Sequence, residues 1–331
     1  MDFFNHHIKL FVAALSLFLC LTFVVAILPA LNNQENNAPL PTMTSLSLDE
    51  KEGKKLFIAN GCVACHTQQV RNVEMDKVWG KRPSTAADYA LNKRVDVWRN
   101  TATLMGTERT GPDLTDVGNR QPSLEWNLLH LFQPRAVVEQ SIMPAYSWLF
   151  EEKNTLSAGD MEINVPDKYR NSAQKIVAKK EALQLVAYLQ SLKQAELPDG
   201  SVPMKFLYER KQKSENSVES ALPDGQQIYA ANCQSCHQAN GEGLKGAFPA
   251  LKGSPIVLGD DLELYVNIIM KGYDARAEFA VMPAVGSNNK LSAEEVTALI
   301  NHERSSWGNN AKKVSKAEIQ KIMDLIKTTK Q

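Results

Sequence analysis

Cysteine is scarce in this chain, with 5 residues in 331. Four of them fall in two short clusters and the fifth, Cys20, sits inside an apolar run, so no disulfide framework is expected. Net charge is absent, because 37 Lys and Arg balance 37 Asp and Glu. That balance offers nothing to attract nucleic acid or an acidic substrate. No βαβ pattern surrounds either cysteine cluster, which argues against a thioredoxin-like redox site. No strand precedes Gly241, Gly243 and Gly246, so they read as a flexible loop rather than a phosphate-binding turn.

What the chain does contain is one pattern written twice: Cys62–Val63–Ala64–Cys65–His66 and Cys233–Gln234–Ser235–Cys236–His237. C-x-x-C-H is the attachment site of a c-type haem. Two thiols at this spacing share one helical face and can each add to a haem vinyl group. The His projects from the same face to ligate the iron. A zinc site built from both pairs would have to close a very long loop, and it would leave the adjacent His residues unexplained. Two covalently bound haem c groups are therefore expected, on Cys62 and Cys65 and on Cys233 and Cys236, with His66 and His237 as iron ligands.

A second axial ligand should be a soft side chain farther along. Met75, Met105, Met143 and Met161 are candidates in the first half. Met143 is preferred because Pro144 and Ala145 follow it, as Pro283 and Ala284 follow Met282. A Pro stiffens the loop and removes a competing N–H, so the thioether can be held against iron. His/Met ligation raises the reduction potential and leaves no open iron position, which favours electron transfer over catalysis. Pro112 and Pro249 lie between each haem motif and its Met; either alone reads equally as a plain turn, but their recurrence favours the role such a Pro has in small c-type cytochromes, whose carbonyl accepts the Nδ1–H of the iron-bound His and fixes its tautomer. His130 lies in an apolar helical stretch and reads as a satisfied structural residue.

The amino terminus carries an uncharged run, Leu10 to Leu28, close to the ~20 residues that cross a bilayer. It exceeds the apolar stretch of a signal peptide, so an uncleaved anchor is expected, ended by Pro29. Covalent haem c is attached outside the bacterial cytoplasmic membrane. The haem domains are therefore expected in the periplasm, on a single-pass protein of the inner membrane.

The expected fold class is all-α: an N-terminal transmembrane helix followed by two cytochrome c-like helical haem domains. The expected segments are an anchor over 1–31, an Asn/Pro/Thr-rich stalk over 32–47 and a first haem domain over 48–195. A linker over 196–222, a second haem domain over 223–310 and a C-terminal helix over 311–331 complete the chain. Capping boxes at Ser47/Glu50, Ser292/Glu295 and Ser315/Glu318 mark helix starts. Leu48, Leu56 and Phe57 are expected inward on the first helix, which should run on to the haem cysteines. A helix over 173–193 should close the first domain, with Ile176, Leu183, Val186 and Leu189 inward. Ile228, Tyr229 and the second motif should form one helix, and His302 should be a surface residue. The segment 72–107 is an insertion, read equally as a solvated loop or a docking surface. The charged stretch Glu209–Glu219 reads as a solvated part of the linker.

The first half also resembles a known family. The run from Gly61 through Cys62–Val63–Ala64–Cys65–His66–Thr67–Gln68–Gln69–Val70–Arg71 is similar to the haem segment of the monohaem subunit II of cbb3-type cytochrome c oxidases. Arg109–Thr110–Gly111–Pro112–Asp113–Leu114, Asn119–Arg120, His130 to Arg135 and Met143 to Leu149 resemble that family's later blocks, in order, over roughly residues 1–195. Asn72 and Glu108 depart from its common Pro and Lys. The run Ser305–Ser306–Trp307–Gly308–Asn309 resembles the end of small class I cytochrome c domains. The resemblance implies an electron-transfer subunit, non-catalytic by itself. It would pass electrons from a periplasmic donor to the haem–copper catalytic subunit of an oxidase. A membrane-anchored cytochrome subunit of a periplasmic dehydrogenase complex is the alternative. A dihaem peroxidase would need one five-coordinate iron, against which a Met in both halves argues.

Overall fold

The computed structural model describes residues 4–36, 40–90, 104–106, 108–170, 174–207, 222–276 and 278–328. Trp98 and the charged stretch Glu209–Glu219 lie outside the described residues. The chain opens with an apolar rod, helical from His7 to Asn36, none of which packs on the rest of the protein over His7–Asn32. Pro29 does not end it. The preceding turn, Thr22–Ile27, widens into a π-helix, a usual accommodation of a lost backbone donor. By length and composition this is the one candidate membrane span among the described residues.

The first haem-motif domain is built on the crossing of α1 (Leu48–Ala59) and α4 (Lys180–Ser191), with α2 (Val117–Arg120) and α3 (Leu124–Phe132) between them in sequence. The Ser47–Glu50 capping box starts α1. Gly53 lets the two helices meet, since a Cβ there would collide with the Gln184 carbonyl. Phe57 then packs edge-on against Tyr188, ring centroids 5.5 Å apart. Leu48 is exposed, contrary to expectation, and the buried residues of α1 are Gly53, Lys54 and Phe57.

The domain is not purely helical. A three-stranded antiparallel sheet, in the order β1 (Phe150–Lys153), β3 (Lys175–Ala178), β2 (Met161–Ile163), interrupts it. The expected helix over 173–193 is thus a strand and then α4. The consecutive buried residues Ile176, Val177 and Ala178 suit a strand covered on both faces, and Lys179 is extended before α4 begins. The protein as a whole remains mostly helical.

The second haem-motif domain repeats the central crossing. α5 (Gly225–Asn232) meets α8 (Ala293–Ser305) at Gly225, where a Cβ would strike the Ala298 carbonyl. The Ser292–Glu295 box caps α8, and Val296, Leu299 and Ile300 are buried as expected. Tyr229 lies against His302 and Trp307 at 5.5 and 4.9 Å between ring centroids. His302 is therefore a half-buried packing residue rather than a surface one. Between α5 and α8 come α6 (Gln234–His237) and α7 (Leu262–Lys271). Last, α9 (Lys316–Thr328) packs on α7 and α8 and buries Ile319, Met323 and Ile326, each worth about 1.5–3 kcal/mol.

The two domains touch. Ala247 and Phe248, from the second, are buried in the first domain's apolar cluster, with Cys236, Leu244 and Ala280 at its edge. Lys290 pairs with Glu196 at 2.7 Å, and Lys81 Nζ donates to the Asn288 carbonyl at 2.8 Å.

Candidate functional site: two paired cysteine–histidine centres

In neither domain does the first helix run into the cysteines. α1 ends at Asn60, Gly61 turns left-handed (φ 71°), and Cys62–Ala64 form one 3-10 turn. In the second domain the break falls at Cys233, between α5 and α6. The turn keeps the motif compact: the His66 N–H donates to the Cys62 carbonyl at 3.0 Å, and the His237 N–H to the Cys233 carbonyl at 3.0 Å.

Each motif His meets its expected proline. His66 Nδ1 lies 2.8 Å from the Pro112 carbonyl oxygen, and His237 Nδ1 lies 2.9 Å from that of Pro249. A carbonyl can only accept, so this contact puts the proton on Nδ1 and leaves the Nε2 lone pair free for a metal. Burial holds both imidazoles below their ordinary pKa, against the opposing pull of the proline carbonyl. Gly111 lies flat against the His66 ring, where a Cβ would collide with it.

The second domain shows where a group would sit. Cys233, His237, Pro249 and Met282 line one cavity, walled largely by apolar side chains such as Ile269 and Leu299. That is the lining of a cofactor pocket, apolar with a few convergent polar groups. Met282 is fixed by a two-way ladder with Tyr273, its N–H and its carbonyl each bonded at 2.9 Å. The residues present fit a haem: paired thiols, an oriented imidazole, a thioether and an apolar wall. Sequence reading missed Glu303 here. It is a buried carboxylate on the wall of this cavity, accepting from the Tyr265 hydroxyl, and burial pushes it up to about 7.

In the first domain Cys62 is buried in the apolar cluster that Met143 borders, and the Met143 N–H donates to Ser141 Oγ at 3.2 Å. Of the other candidates, Met75 is exposed beside Arg71 and Met161 lies on β2. The segment around the motif is held by a network that sequence reading did not assemble. Asp113 Oδ2 accepts from Thr67 Oγ1 at 2.6 Å and from the Gln69 N–H at 2.8 Å. Asp76, fully buried, accepts from Arg71 and from Arg109. Burial would raise its pKa, but those hydrogen bonds outweigh it and hold the carboxyl below its ordinary value. The signal was available: Arg109, Pro112 and Asp113 sit in one short block, and Asp113 adjoins the proline it positions. The described part of the 72–107 insertion is accordingly not a merely solvated loop. Arg82 and Asp88, both buried, pair at 2.6 Å, and Arg82 also donates to the Ala195 carbonyl.

His130 differs from expectation. Its ring stacks on Trp126, centroids 4.6 Å apart and planes 13° from parallel, but its buried Nδ1 has no hydrogen-bond partner. Burial and the nearby charge of His66 push it down to about 4. Trp126 is the link to the other centre. Its indole N–H donates at 2.8 Å to the carbonyl of Ser235, between the two cysteines of the second motif. Gln121 accepts from the Ser235 hydroxyl at 2.8 Å and points its amide at Cys236 Sγ, 3.6 Å away.

A model of the family described as "Cytochrome C oxidase, mono-heme subunit/FixO" matches residues 2–169, and one described as "Cytochrome c" matches residues 222–307. Among curated relatives, the cytochrome c subunit of a quinone-dependent alcohol dehydrogenase from Gluconobacter oxydans is 36% identical over 104 residues, 30% of this chain and 21% of that protein. Cytochrome c-552 of Thermus thermophilus is 38% identical over 100 residues, 28% of this chain and 66% of that protein. Cytochrome c6 of Microcystis aeruginosa is 37% identical over 81 residues, 24% of this chain and 89% of that protein. The chain spans about a fifth to a quarter of the length of the dehydrogenase subunits it matches.

Proposed function

The chain belongs to the mono-haem subunit/FixO family of cytochrome c oxidase, with a cytochrome c domain following, and we propose that it is a dihaem electron-transfer subunit of a cbb3-type haem–copper oxidase. Cys62 and Cys65 hold one haem c and Cys233 and Cys236 the other. His66 with Met143, and His237 with Met282, are the axial ligands. Haem supplies a one-electron Fe(III)/Fe(II) couple when bound. The chain's own residues do the rest. The Pro112 and Pro249 carbonyls keep each imidazole's proton on Nδ1, and the apolar walls keep water away. The domains, proposed over 48–195 and 223–310, face the periplasm from an anchor in the cytoplasmic membrane. Electrons enter from a periplasmic donor and leave to the catalytic subunit, where oxygen is reduced.

The observation that carries this reading is the paired His–Pro contact, 2.8 Å in one domain and 2.9 Å in the other, behind two C-x-x-C-H motifs. A cytochrome subunit of a dehydrogenase complex is the second reading, supported by the names of the Gluconobacter and related proteins. Affinity purification of the full chain from its native membrane separates the two. Co-purification of haem b, copper and cyanide-sensitive oxygen uptake is the expected result. A flavin- or quinone-dependent dehydrogenase in their place overturns it.

A further inference from the structure

The second domain does not turn an arbitrary face to the first. Ser235 and Cys236 lie inside its C-x-x-C-H motif, and both are gripped from the first domain. Trp126 Nε1–H donates to the Ser235 carbonyl, Ser235 Oγ–H donates to Gln121, and the Gln121 amide reaches Cys236 Sγ. That sulfur stands here for the thioether it becomes once haem is attached. Around this contact Gln238 Nε2 donates to the Val137 carbonyl at 3.2 Å, Asn164 donates to the Gly246 carbonyl, and Ala247 and Phe248 are buried. A smaller cavity crosses the boundary, lined by Arg120 and Gln121 on one side and by Cys233, Cys236 and His237 on the other. His130 stacks on Trp126, centroids 4.6 Å apart, and its buried Nδ1 has no hydrogen-bond partner. The haem-attachment loop of the second domain thus rests directly on Gln121 and Trp126 of the first.

We propose that Gln121 and Trp126 are positioning residues that keep the second domain's haem-attachment loop docked on the first domain, so that electrons cross between the sites through this contact and not by swinging of a tethered domain. This rests on the dihaem reading above. In the transfer, one electron leaves the ferrous iron of the second site, which becomes ferric, and reduces the ferric iron of the first to ferrous. No bond is made or broken and no proton moves. A consequence is that an external donor must approach the second domain by a face other than the Ser235–Cys236 loop.

The test uses the full chain in detergent with both haems attached. One haem is photoreduced and re-equilibration is followed optically in buffers of rising viscosity. A docked pair equilibrates at a rate independent of viscosity. The variants Trp126→Phe with Gln121→Leu, and Trp126→Leu alone, should slow it by about tenfold to a hundredfold and make it viscosity-dependent, as expected when positioning is lost. Lys290→Ala, which breaks only an exposed ion pair to Glu196 at the start of the linker, should leave it unchanged. A residue that merely stabilised the fold would move the melting temperature and not the viscosity dependence. A parent rate that falls with viscosity, or a variant rate equal to the parent's, overturns the proposal. Haem is counted per chain in parallel, and fewer than two overturns the dihaem reading instead. Docking is then judged without haem, from amide exchange over residues 234–238. Protection lost in the variants supports it, and protection unchanged overturns it.

Discussion

The two domains reach the same His–proline contact by routes of very different length. From His237 the chain returns to Pro249 through a short turn, whereas from His66 it travels through the insertion before coming back to Pro112. The short route closes largely on backbone bonds, such as the Gly243 N–H to the His237 carbonyl at 3.0 Å and the Leu244–Phe248 bridge. The long route carries its own polar scaffold. Arg71 and Arg109 converge on Asp76, and Asp113 ties Thr67 and Gln69 to the proline segment. Buried carboxylates are tolerated there because each is surrounded by donors. The comparison teaches that a long excursion next to a rigid ligand site must be fixed by side chains. Where the excursion is short, the backbone suffices.

Beneath that difference lies a shared frame, and breaking it should have the largest effect. Gly53→Ala and Gly225→Ala each push a Cβ into a carbonyl of the crossing helix. Each should cost its own domain about 3 kcal/mol, near the upper end for overpacking, and leave the other domain's transition in place. Calorimetry of the full chain, resolved into two transitions, checks it. One mutation shifting both transitions equally would mean that the domains unfold as one unit.

The buried acids sharpen the contrast, because they should give the domains opposite pH responses. Asp76 titrates below its ordinary value of 3.8. Its contribution is therefore present above that value and is lost as the pH falls through the folded pKa. Glu303 titrates higher when folded, at about 7 against an ordinary 4.5. Its protonated form is favoured at low pH, and up to about 3 kcal/mol is lost as the pH rises from 4.5 to 7. Acid should thus melt the first domain preferentially, and neutral pH should weaken the second. Glu303→Gln should remove the second dependence, as read from melts followed by circular dichroism over pH 4 to 8. A flat profile in the parent protein would exclude this role.

Much of the frame was legible because its signals are local. The Cys–Cys–His spacing, the Met-Pro-Ala repeat and the Ser/Glu capping pairs are each written within a few residues. What stayed hidden was set by distant partners. The strand at Ile176–Ala178 has helix-compatible periodicity, and only its pairing with β1 and β2 decides its conformation. Pro29 reads as a stop, yet a π turn absorbs it. His130 reads as a satisfied residue because nothing in its own segment reveals that Nδ1 finds no partner. Gln121 and Trp126 look like ordinary helix-end polar and aromatic residues until a loop more than a hundred positions away is laid on them.

The smallest test asks whether equivalent elements of the two domains carry equal weight. Ser47 and Ser292 cap α1 and α8 with the same reciprocal geometry. In each box the serine N–H donates to the glutamate, at 2.6 and 2.8 Å, and the glutamate N–H donates back to the serine Oγ, at 3.2 and 3.3 Å. The helices they start differ in position. α1 opens its domain with Leu48 exposed, whereas α8 is central, with Ala293, Val296 and Ala298 buried just beyond the cap. An Ala in place of either serine should cost about 1 kcal/mol if only the cap bond matters. Ala293 and Val296 are buried in the first turn of α8, so fraying there also loosens packed contacts, whereas Leu48 in the first turn of α1 is exposed. Ser292→Ala should therefore lower its domain's transition more than Ser47→Ala lowers the other, in the same two-transition calorimetry. Equal shifts would mean that the cap bond alone sets the cost and that the packing of the first turn contributes nothing.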